Sequence, residues 1–412
     1  MSGARKDKDG RVLYKGESQR ASDQRYVYTY QDPLGRRKFV YARDLKTLRE
    51  KEKQLKRDQL DGLDLYVQGK ATINDTFDRY IANKYDLRDS TRSGYIYTYD
   101  HFVRDVFGKK LIVEIRYSDV LSFYYYLLNE KGIAIGTLDS VHCILHPTFQ
   151  LAVRDDIIRK NPTDGVMKEI AKKSGKSRTI RHALTEDQQK LFMEYIAEHA
   201  VYCHWWPLFA VLLGTGLRIG ECLGLTWKDL DFEKRLISVN HALAYYPTDG
   251  SKTSSLHITE PKTEAGIRIV PMIDTVYQAF LMTKDEQKQV GACKAEIDGY
   301  KGFVFQNRFG NVHNPQTVNR TIKRIIHDCN YDEQLAAKKE HREPVVIPNF
   351  SCHHLRHTFA TRLCQAESNL KIIQEVMGHN NIETTMDIYA EATEKSIRKS
   401  FEGLSDKLDN LF

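Results

Sequence analysis

Apolar and polar positions first alternate with a period of two near the start of the chain. Arg25–Tyr30 (RYVYTY) alternates, Asp32–Gly35 (DPLG) carries a turn signal, and Arg37–Tyr41 (RKFVY) resumes the extended pattern. Arg11–Lys15 (RVLYK) is placed beside them as a third strand. From Lys46 to Asp61 the period becomes helical, with Leu45, Leu48, Leu55 and Leu60 among dense charges. Residues 72–162 predict helices over Thr72–Lys84, Ser90–Phe107, Ser118–Lys131 and Gly136–Arg159, broken at Gly108, Gly132 and Asn161-Pro162. Their aromatic residues (Tyr95, Tyr97, Tyr99, Phe102 and Phe123–Tyr126) are read as bundle core. Ala171–His182 has no periodicity and reads as a linker. The next domain opens on a capping-box pattern at Thr185 and Gln188 and continues as helices through Trp227. Strands are placed at Leu236–Val239, Leu256–Thr259 and Ile267–Pro271, the last two forming a hairpin around Glu264-Ala265-Gly266. Helices return from 315 to the end.

The chain is therefore expected to be multidomain and mainly α: a small α+β domain (1–70), a helical domain (71–165), a linker (166–182), a mixed α/β domain (183–395) and a helical tail (396–412). With 41% hydrophobic and 28% charged residues it can bury substantial cores. The longest apolar run, Trp205–Gly214, is about half a membrane span, and the first residues are polar, so a membrane or secreted protein is not expected. Seven cysteines without a C-x-x-C pair fit a reduced cytosol and no zinc module.

Charge changes the picture through its placement. The net charge is +7; residues 1–70 hold 18 Lys and Arg against 11 Asp and Glu, and the remainder balances at 44 of each. A small sheet holding the whole surplus is read as a β-ribbon facing DNA, with Arg25, Tyr28, Arg36, Arg37 and Lys38 as candidate contacts. The plainer alternative is a basic sheet facing solvent. The basic run supplies Lys172, Lys173, Lys176, Arg178 and Arg181 as candidate phosphate contacts.

Four segments of the third domain carry candidate chemistry. Thr215–Glu221 (TGLRIGE) sets Arg218 in an apolar helical stretch, where Glu221 is either its structural partner or a support holding it ready for a phosphate. Lys262 ends one strand of the predicted hairpin. His353-His354-Leu355-Arg356-His357 puts His353 and Arg356 on one helix face, able to address one anion together; zinc at His353 and His357 lacks a following Glu and a third ligand. Gly378-His379 is followed ten residues after the histidine by Tyr389.

In order, these residues form R…K…H-x-x-R…H…Y, and with that spacing the sequence resembles the tyrosine recombinases, the family of phage integrases and site-specific DNA recombinases. It is most similar to integrases of conjugative transposons, because Gly16–Arg20 and Leu48–Lys51 resemble their arm-binding domain. The resemblance implies an arm-binding domain, a core-binding domain and a catalytic domain, the last two clamping a duplex from opposite sides. It implies attack of a tyrosine oxygen on a phosphodiester, giving a 3′-phosphotyrosyl link and a free 5′-hydroxyl, with no cofactor. By the same resemblance Arg218 and Arg356 hold the non-bridging oxygens and His379 donates to one of them. Lys262 protonates the leaving 5′-oxygen, His353 assists the tyrosine proton, Tyr389 is the nucleophile, and Glu221 supports.

The implied partners are double-stranded DNA at core and arm sites, a homotetramer assembled on DNA, and a candidate excisionase and host DNA-bending protein. The implied location is the bacterial cytoplasm, at the nucleoid. Ile397, Phe401, Leu404, Leu408 and Leu411 recur at helical spacing in the tail, which is expected to dock on a neighbouring protomer rather than fold back. A recombinase resolving replicon dimers, and a DNA-binding regulator without chemistry, are the alternatives.

Overall fold

The computed structural model describes residues 5–31, 37–60, 69–174, 183–248, 253–261, 263–367, 369–383 and 385–390, without the side chains of 57–60 and 173–174. It divides into two compact units, Met1–Arg178 and Thr179–Phe412. Arg36, Lys176, Arg178, Arg181, Lys262, the side chain of Lys173 and the tail 396–412 lie outside the described residues.

The first unit opens with the antiparallel sheet β1 (Glu17–Gln19), β2 (Tyr26–Gln31) and β3 (Arg37–Ala42), in that order, followed by α1 (Leu45–Leu60). The third strand is thus Glu17–Gln19 and not Arg11–Lys15, where only an isolated Lys6–Val12 bridge forms. Its polar sequence conceals an inward-facing carboxylate: Glu17 is buried and accepts from Arg49 Nε at 3.0 Å and from the Tyr14 amide at 2.8 Å. Alternation along β2 places Tyr26 and Tyr28 against Ala42, Leu45 and Leu48. This corrects the placement of Tyr28 among the DNA contacts, since it is a core residue. Its hydroxyl pKa is raised by burial and by neighbouring Glu52. The opposite face exposes Arg37, Phe39 and Tyr41, with the Arg20 guanidinium over the Tyr41 ring; Lys38 is on the α1 side and half-buried, and Arg25 is exposed beside Asp23.

Within the same unit α2 (Ile73–Ala82), α3 (Asp89–Phe102), α4 (Tyr117–Asn129), α5 (Ile135–Arg154) and α6 (Val166–Ser174) share a second core. Thr72 and Asp75 close a capping box on α2. Tyr99, Phe123 and Tyr124 are buried as expected of a bundle, whereas Tyr97 is exposed. The expected linker at 166–182 begins as helix α6: Val166 and Ile170, one turn apart, seal this core. Lys172 is exposed on that helix.

The second unit runs α7 (Glu186–Glu198), α8 (Trp206–Thr215), α9 (Ile219–Gly224), β4 (Leu230–Asp231), β5 (Leu236–Val239), β6 (Ala242–Pro247), β7 (Ser254–Thr259), β8 (Arg268–Pro271), α10 (Asp274–Val290), α11 (Pro315–Glu340), α12 (Cys352–Ala366) and α13 (Leu370–Met377). Residues 385–390 are helical. The longest apolar run becomes α8, buried almost all round at the centre of the core. No helix among the described residues is long and apolar enough to cross a membrane.

The sheets differ from the expected hairpin. β7 pairs with β6, and β8 returns to β5 in the order β4-β5-β8. The chain between β7 and β8 therefore passes from one sheet to another and closes no hairpin. Helix α10 was not anticipated either. Its buried stripe (Val276, Ala279, Phe280, Thr283, Gln287) turns polar toward the C-terminus, which hides the period.

Candidate active site

Gly216 ends α8 in the left-handed region at φ 64°, and a Cβ there would lie 2.3 Å from the Phe359 ring. The chain then turns so that Arg218 caps α9 and is not inside a helix, as its apolar surroundings had suggested. Glu221, three residues on, accepts from the Arg218 amide at 2.9 Å and from its Nη1 at 2.7 Å, while Arg218 Nη2 donates to the Gly378 carbonyl at 3.2 Å. The Arg218 side chain remains 45% exposed, so its outer face is open to a ligand.

Sequence reasoning missed Arg268, at the start of β8. It is buried, donates to both Glu221 oxygens at 2.8 and 3.3 Å, and donates through Nε to the Val376 carbonyl at 2.8 Å. Burial alone would raise the Glu221 pKa; the Arg268 hydrogen bond and charge, then Arg218, overcome it and hold the carboxyl down at about 2. Glu221 is thus a fixed anion between two guanidiniums.

Arg356, on the first turns of α12, is 4% exposed. It donates to the Gly216 carbonyl at 2.7 Å and to the Met377 carbonyl. Burial lowers its pKa to about 9, and the nearby positive charges of Arg218 and Arg268 add to the effect against Glu221. It remains charged at neutral pH, short of negative partners. His353, on the same helix, is exposed.

Gly378 caps α13 at φ 60°, and His379 follows it, buried, with Nδ1 2.9 Å from Thr385 Oγ1. Burial first, then the charges of Arg356, Arg218, Arg268 and His353, lower the His379 pKa to about 4, so its ring is neutral at pH 7. Thr385 and Tyr389 are one turn apart in the helical segment 385–390, and Tyr389 packs half-buried against Ala360, Cys364, Ile373 and Met377. The turn from Gly378 to Tyr389 thus ties the histidine and the tyrosine to the arginines. Arg218, Glu221, Arg356 and His379 are brought together by direct contacts or electrostatics; His353 joins them electrostatically and Tyr389 through this segment.

Clustered guanidiniums, one of them open to solvent, with a neutral histidine and a tyrosine on the helical segment that follows it, form a site suited to an anionic group such as a phosphate. Residues 182–396 match the phage integrase family, and the chain belongs to it. Residues 1–59 match the DNA binding domain of tn916 integrase. The chain is 35% identical over 410 residues to the transposase from transposon Tn916 of Enterococcus faecalis, covering 95% of each, and equally to that from transposon Tn1545 of Streptococcus pneumoniae. It is 26% identical to a XerC-like tyrosine recombinase of Caldanaerobacter subterraneus, over 90% of this chain and 92% of that one. Among solved structures, the Tn1549 transposon integrase in complex with transposon right end DNA matches at 32% identity and TM-score 0.68, covering 81% of this chain and 99% of that one. The same integrase in complex with a circular intermediate DNA matches equally.

Proposed function

We propose that the protein is a site-specific DNA integrase of a conjugative transposon, which breaks and rejoins strands through a tyrosine. The observation that carries this reading is the clustering of Arg218, steadied by the Glu221 carboxylate, Arg356 and neutral His379 at the C-terminus of α13, with Tyr389 on the helical segment that follows the histidine. Two guanidiniums meet the non-bridging oxygens of the scissile phosphate, where the pentacoordinate transition state gains charge. We assign Thr385 Oγ1 as the donor in its 2.9 Å hydrogen bond with Nδ1, which sets the His379 proton on Nε2, where it donates a hydrogen bond to a phosphate oxygen. His353 accepts the tyrosine proton as the phenolic oxygen attacks phosphorus, and Lys262 protonates the departing 5′-oxygen. A 5′-hydroxyl from a second strand reverses these steps, so the bond energy is kept in the phosphotyrosyl link.

DNA is the substrate, and the match of residues 1–59 to a DNA binding domain supports DNA binding by the N-terminal sheet. In this proposal the sheet holds separate arm sites through the exposed Arg25 and Arg37, and Lys172 with the basic residues after it meets phosphates. The domain limits 1–70, 71–165, 183–395 and 396–412, tail docking between four protomers, and the help of an excisionase and a bending protein belong to this proposal, as does a cytoplasmic location.

A nicked suicide substrate on a denaturing gel tests it. Wild type is expected to trap DNA covalently and Tyr389→Phe to bind without trapping. Arg218→Lys keeps the charge and loses the fork, so trapping should fall about 10²–10³-fold with binding retained. Binding without an adduct in wild type would refute the enzyme reading in favour of a regulator.

A further inference from the structure

Three guanidiniums end on three consecutive carbonyls at the C-terminus of α13. Arg268 takes Val376 at 2.8 Å, Arg356 takes Met377, and Arg218 takes Gly378 at 3.2 Å. The last carbonyls of a helix lack intrahelical donors and carry the negative end of its dipole, so each is a ready acceptor. Two of these arginines serve the proposed reaction directly. Arg268 does not, because its remaining contacts are internal: Glu221 through both Nη atoms and the Gly266 carbonyl at 3.4 Å.

We propose that Arg268 is a positioning residue of the strand-cleavage site, holding Glu221 and the Val376 carbonyl in one fork and thereby fixing Arg218 and the turn that carries His379. The proposal rests on the function proposed above. Glu221 is shared between Arg268 inside and Arg218 at the surface. Remove the inner cation, and the buried carboxylate draws the half-exposed Arg218 inward, away from a phosphate. The Val376 carbonyl loses its donor in the same event, two residues before the glycine that turns into His379. Packing confirms how closely the parts fit: a Cβ on Gly378 would lie 3.0 Å from Arg268 Nη1 and 3.0 Å from the Ala265 carbonyl. A lysine at 268 keeps the charge but cannot span carboxylate and carbonyl together.

The test uses the full chain with Arg268→Lys, measuring thermal unfolding, DNA binding and single-turnover cleavage on two suicide substrates. One carries an ordinary scissile phosphate. The other carries a methylphosphonate there, which removes one negative charge from the transition state and with it much of the need for a well-placed cation. On phosphate, Arg268→Lys should cleave about 10²-fold more slowly than wild type, and on methylphosphonate within about threefold of it. Arg218→Lys run in parallel reports on the underlying reading. If wild type forms no adduct, or Arg218→Lys shows no substrate-dependent deficit, that reading fails. If Arg218→Lys shows the deficit while Arg268→Lys cleaves like wild type, or is equally slow on both substrates, the positioning role is overturned. A second pair keeps the proposal testable if the lysine variant does not fold: Arg268→Gln with Glu221→Gln should cleave phosphate faster than Arg268→Gln alone, and equal or slower cleavage overturns it.

Discussion

Two groups at the centre of the site keep their neutral-pH charge states further into acid than they would in water. Glu221 stays ionised down to about pH 2, against an ordinary 4.5, and His379 stays neutral down to about pH 4, against 6.5. In both cases the unfolded chain binds the proton first as pH falls. Stability is therefore full above the unfolded value and is lost on acidification, from pH 6.5 toward 4 for His379 and from 4.5 toward 2 for Glu221. Urea midpoints measured across pH 7 to 3 should show His379→Gln flattening the upper part of the decline and Glu221→Gln the lower. Unchanged slopes would separate these residues from the acid response. The order R…K…H-x-x-R…H…Y made six candidates legible, because H-x-x-R and the ten-residue step from His379 to Tyr389 are short local spacings that anchor the more distant Arg218 and Lys262. Arg268 escaped for a physical reason. In Ile267-Arg268-Ile269-Val270, alternation puts Arg268 on the face of Val270, but the sequence does not say which face is core. The apolar isoleucines turned out to be the exposed ones, each 61% accessible, and the arginine the buried one.

At the scale of elements, the site is set by where helices stop. Gly216 and Gly378 both end helices in the left-handed region, and the carbonyls they free are the ones the arginines take. Gly216→Ala should lower stability by about 1–3 kcal/mol in chemical denaturation, from an unfavourable φ and a Cβ forced onto Phe359. Adding Phe359→Leu should recover part of the loss; no recovery would mean that the ring contact is not the cause. Helices with clean periods and caps were legible within a few residues, as with Thr185 and Gln188 at the start of α7. Strand partners were not, because pairing depends on distant segments. The Glu264–Gly266 turn looked like a hairpin, yet β8 found a better buried face against Ile237 and Val239. Glu17–Gln19 was missed because a buried ion pair replaces the apolar signal there.

For the molecule as a whole, the surplus of positive charge and the strand-breaking chemistry occupy different parts of the chain, so they should separate. Deleting residues 1–59 is expected to abolish salt-sensitive binding to arm sites while leaving covalent cleavage of core-site oligonucleotides within about tenfold. Loss of both together would mean that the N-terminal sheet takes part in the core complex. The proposed chemistry places the bond to DNA on one of 23 tyrosines. The most direct measurement is to trap wild type on a suicide substrate, digest protein and DNA, and map the nucleotide-bearing peptide by mass spectrometry. The expected result is a phosphodiester-linked nucleotide on Tyr389 alone. An adduct on any other residue, or none on a protein that binds the site, would contradict it.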